Sequence, residues 1–275
     1  MPYPVGRWRL ICSPPQSGAW NMAVDEAILE AVGSGVSLPT LRLYAWQPAC
    51  LSLGYAQPAS DVDRGSLARL GWELVRRPTG GRAILHTDEL TYSVIGPADE
   101  LRLAGGVLAS YRRLSAALLA GLHLLGIPAE SKESTAPPGN ESKGAVCFEA
   151  PSSYEITVHG KKLIGSAQAR RKESVLQHGT FPLEGDLKRI LQVLVFPDEA
   201  SRLEAAARLE ARATTAEAVL GYPLPWEKAA GVFRQAFSQV LNLELATGDL
   251  TLSERSHAAA LMVEKYANEK WVLRI

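Results

Sequence analysis

The chain has 275 residues, 47% of them hydrophobic and 21% charged, and its 29 Lys+Arg residues balance 29 Asp+Glu to a net charge of zero. Such a chain can bury a sizeable core, and the zero balance argues against a nucleic-acid binder that relies on bulk charge. The N-terminal M-P-Y-P-V-G-R has no apolar signal core and no apolar run approaches ~18–20 residues, so a cytoplasmic protein with no membrane partner is expected.

Residues 7–12, R-W-R-L-I-C, read as a first strand, followed by a Ser-Pro-Pro turn. From Ser17 onward Trp20, Ala23, Val24, Ala27, Ile28 and Val32 recur at three- and four-residue spacing, which predicts an amphipathic helix ending near Gly33. The stretch L-Y-A-W-Q-P-A-C-L-S-L-G-Y (43–55) reads as two strands with a turn between them. Cys12 and Cys50 lie in apolar strand-like runs, where a cysteine is usually a small buried hydrophobe. Three scattered cysteines make no disulfide framework, and no C-x-x-C or H-x-x-x-H spacing offers a metal site.

W-E-L-V-R-R-P-T-G-G-R-A-I-L-H (72–86) predicts a strand entering the Pro78-Thr79-Gly80-Gly81 turn and another leaving it. Paired glycines let a ligand approach the backbone, and Arg76, Arg77 and Arg82 surround them. An anionic or carbonyl-bearing ligand is the functional reading; a hairpin turn with a solvated basic rim is the structural one, and both stay open. His86 either orients the ligand or simply closes its strand.

Thr91–Ile95 reads as a strand, and Val107, Tyr111, Leu114, Leu118, Leu122 and Leu125 mark a long helix closed by Gly126. Residues 129–144 have almost nothing to bury and read as a long loop that delivers the chain to Cys147. Tyr154, Ile156 and Val158 then alternate with polar residues, and the His159-Gly160 turn reverses the chain into Lys161-Lys162-Leu163-Ile164. Lys162 is thereby expected on a strand antiparallel to the one after the cysteine, ahead of the small-residue stretch Gly165-Ser166-Ala167. Beyond Pro182 the pattern turns helical over 187–194, 204–211, 226–241 and 252–266. One catalytic domain over 1–275 is expected, with an α/β core at 1–182 and a helical segment, 183–275, packed on it.

A thiol attacks an acyl group as its thiolate, and an unperturbed cysteine of pKa about 8.5 is mostly protonated at neutral pH. A nearby ammonium favours the thiolate, so Cys147 with Lys162 can form an activated nucleophile. Once the thiol is acylated the lysine loses its anionic partner and can act as base towards an incoming amine. N–H groups near Gly80-Gly81 or Gly165-Ser166-Ala167 could hold the oxyanion. The structural alternative is a buried thiol beside hairpin-surface lysines.

Six motifs occur in order: L-R-L-Y-A-W-Q-P (41–48), R-R-P-T-G-G-R-A-I-L-H (76–86), D-E-L-T-Y-S-V-I (88–95), C-F-E-A-P-S-S-Y-E-I (147–156), G-K-K-L-I-G-S-A-Q (160–168) and L-Q-H-G-T (176–180). Over roughly residues 20–270 they resemble the biotin/lipoyl protein ligase and transferase family, closest to its cysteine-containing octanoyltransferase branch. The resemblance implies an α+β fold: a mixed, largely antiparallel sheet core flanked by helices, with a helical C-terminal segment. It implies transfer of an octanoyl group from acyl carrier protein to a lysine of a lipoyl domain, typically the glycine-cleavage H protein. Cys147 takes the place of the acyl-thioester cysteine, Lys162 that of the lysine in K-x-x-G-S-A, and Arg77, Thr79, Gly80, Gly81 and His86 belong to the motif that lines the acyl site. Gly165, Ser166 and Ala167 complete the expected pocket wall. No ATP, metal or organic cofactor is implied, because the donor is already a thioester. Three alternatives remain: an ATP-dependent lipoate–protein ligase, an octanoyl amidotransferase between lipoyl domains, and a non-catalytic acyl-binding protein. Both protein partners in the family are usually acidic, so Lys161, Lys162, Arg170, Arg171 and Lys172 form either a docking patch or a solvated strand end.

Overall fold

In the computed structural model residues 3–133 and 154–275 are described. Cys147 and most of the expected long loop lie outside them. In chain order the elements are β1 (Gly6–Cys12), α1 (Gly18–Gly33), β2 (Thr40–Tyr44), β3 (Cys50–Leu53), α2 (Arg64–Leu70), β4 (Glu73–Arg76), β5 (Ile84–His86) and β6 (Glu89–Pro97). There follow α3 (Val107–Leu124), β7 (Glu130–Glu133), β8 (Tyr154–Val158), β9 (Lys161–Arg170) and β10 (Ser174–Pro182). The C-terminal part holds α4 (Glu199–Arg212), α5 (Ala216–Leu220), α6 (Trp226–Leu241), β11 (Leu243–Thr247), α7 (Leu252–Leu261) and α8 (Glu269–Val272).

Strand alternation sends successive side chains to opposite faces, and both faces of the large sheet are apolar. Ile11, Tyr44, Ile95 and Leu176 pack on one face with Met22, Ala23, Ala27 and Ile28 of α1. Leu10, Leu43, Tyr92, Val94, Val175 and Phe181 pack on the other with Leu114 and Leu118 of α3 and Phe233 and Phe237 of α6. The Ser17 hydroxyl caps α1 by accepting from the Trp20 N–H. The large sheet runs β11-β1-β2-β6-β10-β9-β8-β7; β1 pairs parallel with β11 and β2, and the remaining neighbours are antiparallel. This is the α+β, largely antiparallel architecture expected from the motifs.

Several sequence expectations are corrected or refined. The two strands read in 43–55 are present but do not pair: β2 lies in the large sheet, and β3 lies in a separate three-stranded sheet ordered β4-β3-β5. The chain leaves the large sheet at Trp46, whose indole N–H donates to Thr91 and whose ring stacks on His86. The strands on either side of the Pro78–Gly81 turn are not partners either, because β3 sits between them, parallel to β4 and antiparallel to β5. The C-terminal segment is not purely helical, since β11 extends the sheet on β1. Finally, Cys12 ends its strand exposed, whereas Cys50 is buried, and β7 already pairs with β8 where a loop is expected.

Candidate active site

The position of Lys162 is set by one extra residue. Directly opposed residues of an antiparallel pair share a face. Ile156 opposes Ile164, but Thr157 opposes Lys162, so Leu163 is an extra residue on β9, a β-bulge. Ile156, Val158, Leu163 and Ile164 all enter the core under α3 and α6. Without the bulge, alternation would send Lys162 to the same side as Ile164. With it, Lys162 shares the opposite face with Thr157, Gly165, Ala167, His178 and Thr180, the last two opposing Ala167 and Gly165. Lys162 is 4% exposed, with Nζ 3.1 Å from a Glu155 carboxylate oxygen.

The glycine turn is tied to this same face. Thr79 Oγ1 lies 2.7 Å from His178 Nε2, and the Thr79 carbonyl accepts from the Tyr55 N–H at 2.8 Å. Arg77 donates to the carbonyls of Gly80, Arg82 and Ser52 and to the Ser52 hydroxyl, at 2.7–3.2 Å. The carbonyls of the turn are thereby drawn inward. Among the described residues the N–H groups of Gly80 and Gly81 find no acceptor, and both glycines are exposed. Two N–H groups without an acceptor on adjacent exposed residues suit an anion or a developing oxyanion. Gly81 has φ +94°, and a Cβ on Gly54 would stand 1.9 Å from its carbonyl oxygen, so neither position admits a side chain without backbone movement.

Two of the three arginines read as a basic rim are not at the surface. Arg76 and Arg77 are buried, and Arg76 donates to the carbonyls of Gly54, Tyr55, Gln57 and Val272. Both arginines build the turn from behind rather than offering a solvated charge. His86 is likewise a brace: its ring nitrogens meet Glu89 at 2.6 Å and Ser52 at 2.8 Å, and its ring is stacked on Trp46. Ser166 departs from the expected pocket wall. It opposes Gly179 on the α3/α6 side, and its Oγ lies 2.6 Å from the Tyr92 hydroxyl. Thr79, Gly165, Ala167 and Lys162 come together on one face; the Ser166 side chain does not.

Two residues of this face, Asp25 and His178, have no role in the sequence reading. Asp25 is buried on α1, where Arg42 Nη1 donates to it at 2.7 Å, Tyr44 and Ser93 hydroxyls at 3.0 Å, and His178 Nδ1 lies 3.6 Å away. Burial works to raise its pKa, but Arg42 and His178 outweigh it and hold the carboxyl below the usual range. Burial pushes the His178 pKa down despite the pull of Asp25, which favours the neutral ring. Acids at Asp25 and Glu26, set between Val24 and Ala27 in an apolar helix, were the available signal.

The basic window at 170–172 is largely engaged inside the molecule. Arg171 pairs with Glu26 and with Glu30, and Arg170 donates to Gln168 and to the Leu103 carbonyl. Lys172 is at the surface, 3.4 Å from Glu173. A separate cleft of about 590 Å³ is lined by Cys12, Trp46, Glu89, Leu224 and Trp226 among others; neither Lys162 nor the glycine turn lines it. Among the described residues no cluster of three His, Cys, Asp or Glu side chains could hold a metal, and no helix is long and apolar enough to cross a membrane.

Residues 17–238 match the family model described as lipoyl protein ligase A/B catalytic domain. The chain belongs to this family. Its relatives include proteins named octanoyltransferase LipM from Kyrpidia tusciae, 40% identical over 97% of this chain and 98% of that one, and from Moorella thermoacetica, 41% identical over 98% and 99%. Its fold is similar to the bipartite lipoate protein ligase of Thermoplasma acidophilum, with TM-score 0.79, 26% identity and coverage of 98% and 97%. It is also similar to a lipoate–protein ligase A crystallised with ATP, with TM-score 0.77, 25% identity and coverage of 98% and 99%. The family membership agrees with the motif-based expectation, and with it the α+β ligase-like fold.

Proposed function

We propose that this protein takes an octanoyl group from acyl carrier protein, holds it as a thioester on Cys147 and passes it to a lysine of a lipoyl domain such as the glycine-cleavage H protein. That it is an octanoyltransferase of lipoate biosynthesis and protein lipoylation rests on the full-length LipM relatives at about 40% identity. One catalytic domain suffices for this reading, since the C-terminal segment supplies a strand to the same sheet.

The observation that carries the chemistry is the bulge that turns Lys162 to the face beneath the glycine turn. In the first half-reaction the Cys147 thiolate attacks the carrier thioester; the carrier's carbon–sulfur bond breaks, and its thiolate leaves with the proton of the Lys162 ammonium, which leaves that amine neutral. In the second, the neutral acceptor amine attacks the Cys147 thioester, an amide forms, the thiolate is restored, and the amine's proton passes to Lys162 acting as base. The Gly80 and Gly81 N–H groups suit the oxyanion of each tetrahedral intermediate. Burying the methylenes of an octanoyl chain contributes on the order of 5 kcal/mol, while one methylene more or less changes this by only ~1–3 kcal/mol. Chain-length selection is therefore real but incomplete.

The deciding experiment incubates H protein with octanoyl-carrier protein without ATP, and in parallel with octanoate plus ATP. Product in the first arm alone supports the transferase; product in the second alone makes the protein a ligase. The intact protein should gain one octanoyl mass at Cys147 in a hydroxylamine-labile bond, and a Cys147→Ala variant with full transfer activity would sink the thioester mechanism.

A further inference from the structure

The histidine of L-Q-H-G-T has no part in the chemistry above, yet from the large sheet it meets the Thr79 hydroxyl of the glycine turn. We propose that His178 and Asp25 are positioning residues for Thr79, which together hold the Pro78–Gly81 turn over the Lys162 face.

The arrangement is directional. Asp25 is held by Arg42, Tyr44 and Ser93, and Arg42 is itself fixed by the Asn21 carbonyl, the Asn21 side chain and Ser13. Arg42, Tyr44 and Ser93 all donate to Asp25, so the carboxylate facing His178 can only accept. The His178 proton therefore belongs on Nδ1, towards Asp25; the other tautomer would set a lone pair against the carboxylate. Nε2 is then purely an acceptor, and the Thr79 hydroxyl donates to it. Thr79 is anchored by its side chain to the large sheet and by its carbonyl to Tyr55, while Arg77 draws in the carbonyls of Gly80 and Arg82. The turn is thus gripped from both sheets. An acid and a histidine inside the apolar layer beneath α1 are costly next to hydrocarbon of the same volume. Their one remaining valence, Nε2, ends at the exposed glycine turn.

The kinetic part of the test rests on the octanoyl-transfer reading; the structural part does not. His178→Leu, Thr79→Val, the double variant and His178→Gln are compared with wild type for octanoyl transfer, melting temperature and amide exchange at Gly80 and Gly81. Each apolar variant should slow transfer by about tenfold or more, in kcat rather than KM, as loss of orientation does. The double variant should fall within about twofold of the slower single, because both remove one interaction. Exchange at Gly80 and Gly81 should quicken, and His178→Gln, whose side-chain carbonyl can accept from Thr79, should recover part of the rate. Unchanged exchange in the folded apolar variants, or losses that multiply in the double variant, overturns the proposal. If His178→Leu does not fold, Thr79→Val leaves the Asp25–His178 pair in place and carries the same exchange prediction. A wild-type protein without octanoyl transfer defeats the functional reading instead, and the exchange result still decides the positioning.

Discussion

Two arginine-rich stretches look alike in the sequence and are used in different ways. Arg76-Arg77 is buried and satisfies backbone carbonyls around the glycine turn. Arg170-Arg171-Lys172 stands at the end of β9, where Arg171 meets the carboxylates of Glu26 and Glu30 and Lys172 remains at the surface. The first stretch depends on the planar fork of the guanidinium, which reaches several acceptors at once; in the second, Arg171 and Lys172 depend mainly on charge. Basic residues near a suspected anion site are therefore poor evidence of a charged rim until their acceptors are known.

The comparison is tested most severely at Arg77. Arg77→Lys keeps the charge but cannot serve the Gly80, Arg82 and Ser52 carbonyls together, so it should destabilise by about 2–4 kcal/mol, nearly as much as Arg77→Met. Urea unfolding of both variants measures this, and a lysine variant close to wild type would mean that charge, not geometry, holds the turn.

Arg171→Ala should cost less, about 1–2 kcal/mol at pH 7, because Lys265 and the Tyr266 hydroxyl still reach Glu26. The cost should depend on pH. Burial raises the pKa of Glu26, but Lys265, Tyr266 and Arg171 together bring it below its ordinary value; Glu30 is likewise lowered against burial by Arg171 and His257. Carboxyls depressed in the folded state contribute stability above their unfolded pKa of about 4.3 and lose it as pH falls through the lower folded value. Melting curves of wild type and Arg171→Ala should therefore converge as the pH is lowered from 7 towards 3. A gap that stays constant would show that Arg171 acts by packing. The smallest effect belongs to Lys172→Ala, within about 0.5 kcal/mol of wild type by the same melts, as expected for an exposed pair.

Local pattern was legible wherever one element decides its own shape. α1, α3 and α6 follow from three- and four-residue spacing of apolar side chains, and α6 spans Trp226–Leu241 as the spacing predicts. The β8–β9 hairpin follows from His159-Gly160, whose φ values of 50° and 77° suit a tight two-residue turn. The turn glycines and Lys162 were singled out by their motifs. Partners distant in the chain were not legible: β3 slipping between β4 and β5, β11 joining β1, and Asp25 reaching His178 across 153 positions (178 minus 25). Their cost and benefit are settled only when both partners are in place.

By itself, the sequence determined which stretches become helices and strands, that a cysteine and a lysine flank one hairpin, and which family the chain resembles. Periodicity, turn chemistry and motif order are properties of neighbouring residues, so they survive without the fold. Only the tertiary structure decided which way those residues face. A single extra residue, Leu163, turns Lys162 out of the apolar core and onto the face that carries His178, while alternation sends Ser166 back to Tyr92. Strand register is chosen by what both sheet faces must bury, and a one-residue shift exchanges the faces. That choice belongs to the whole sheet and its two helical layers.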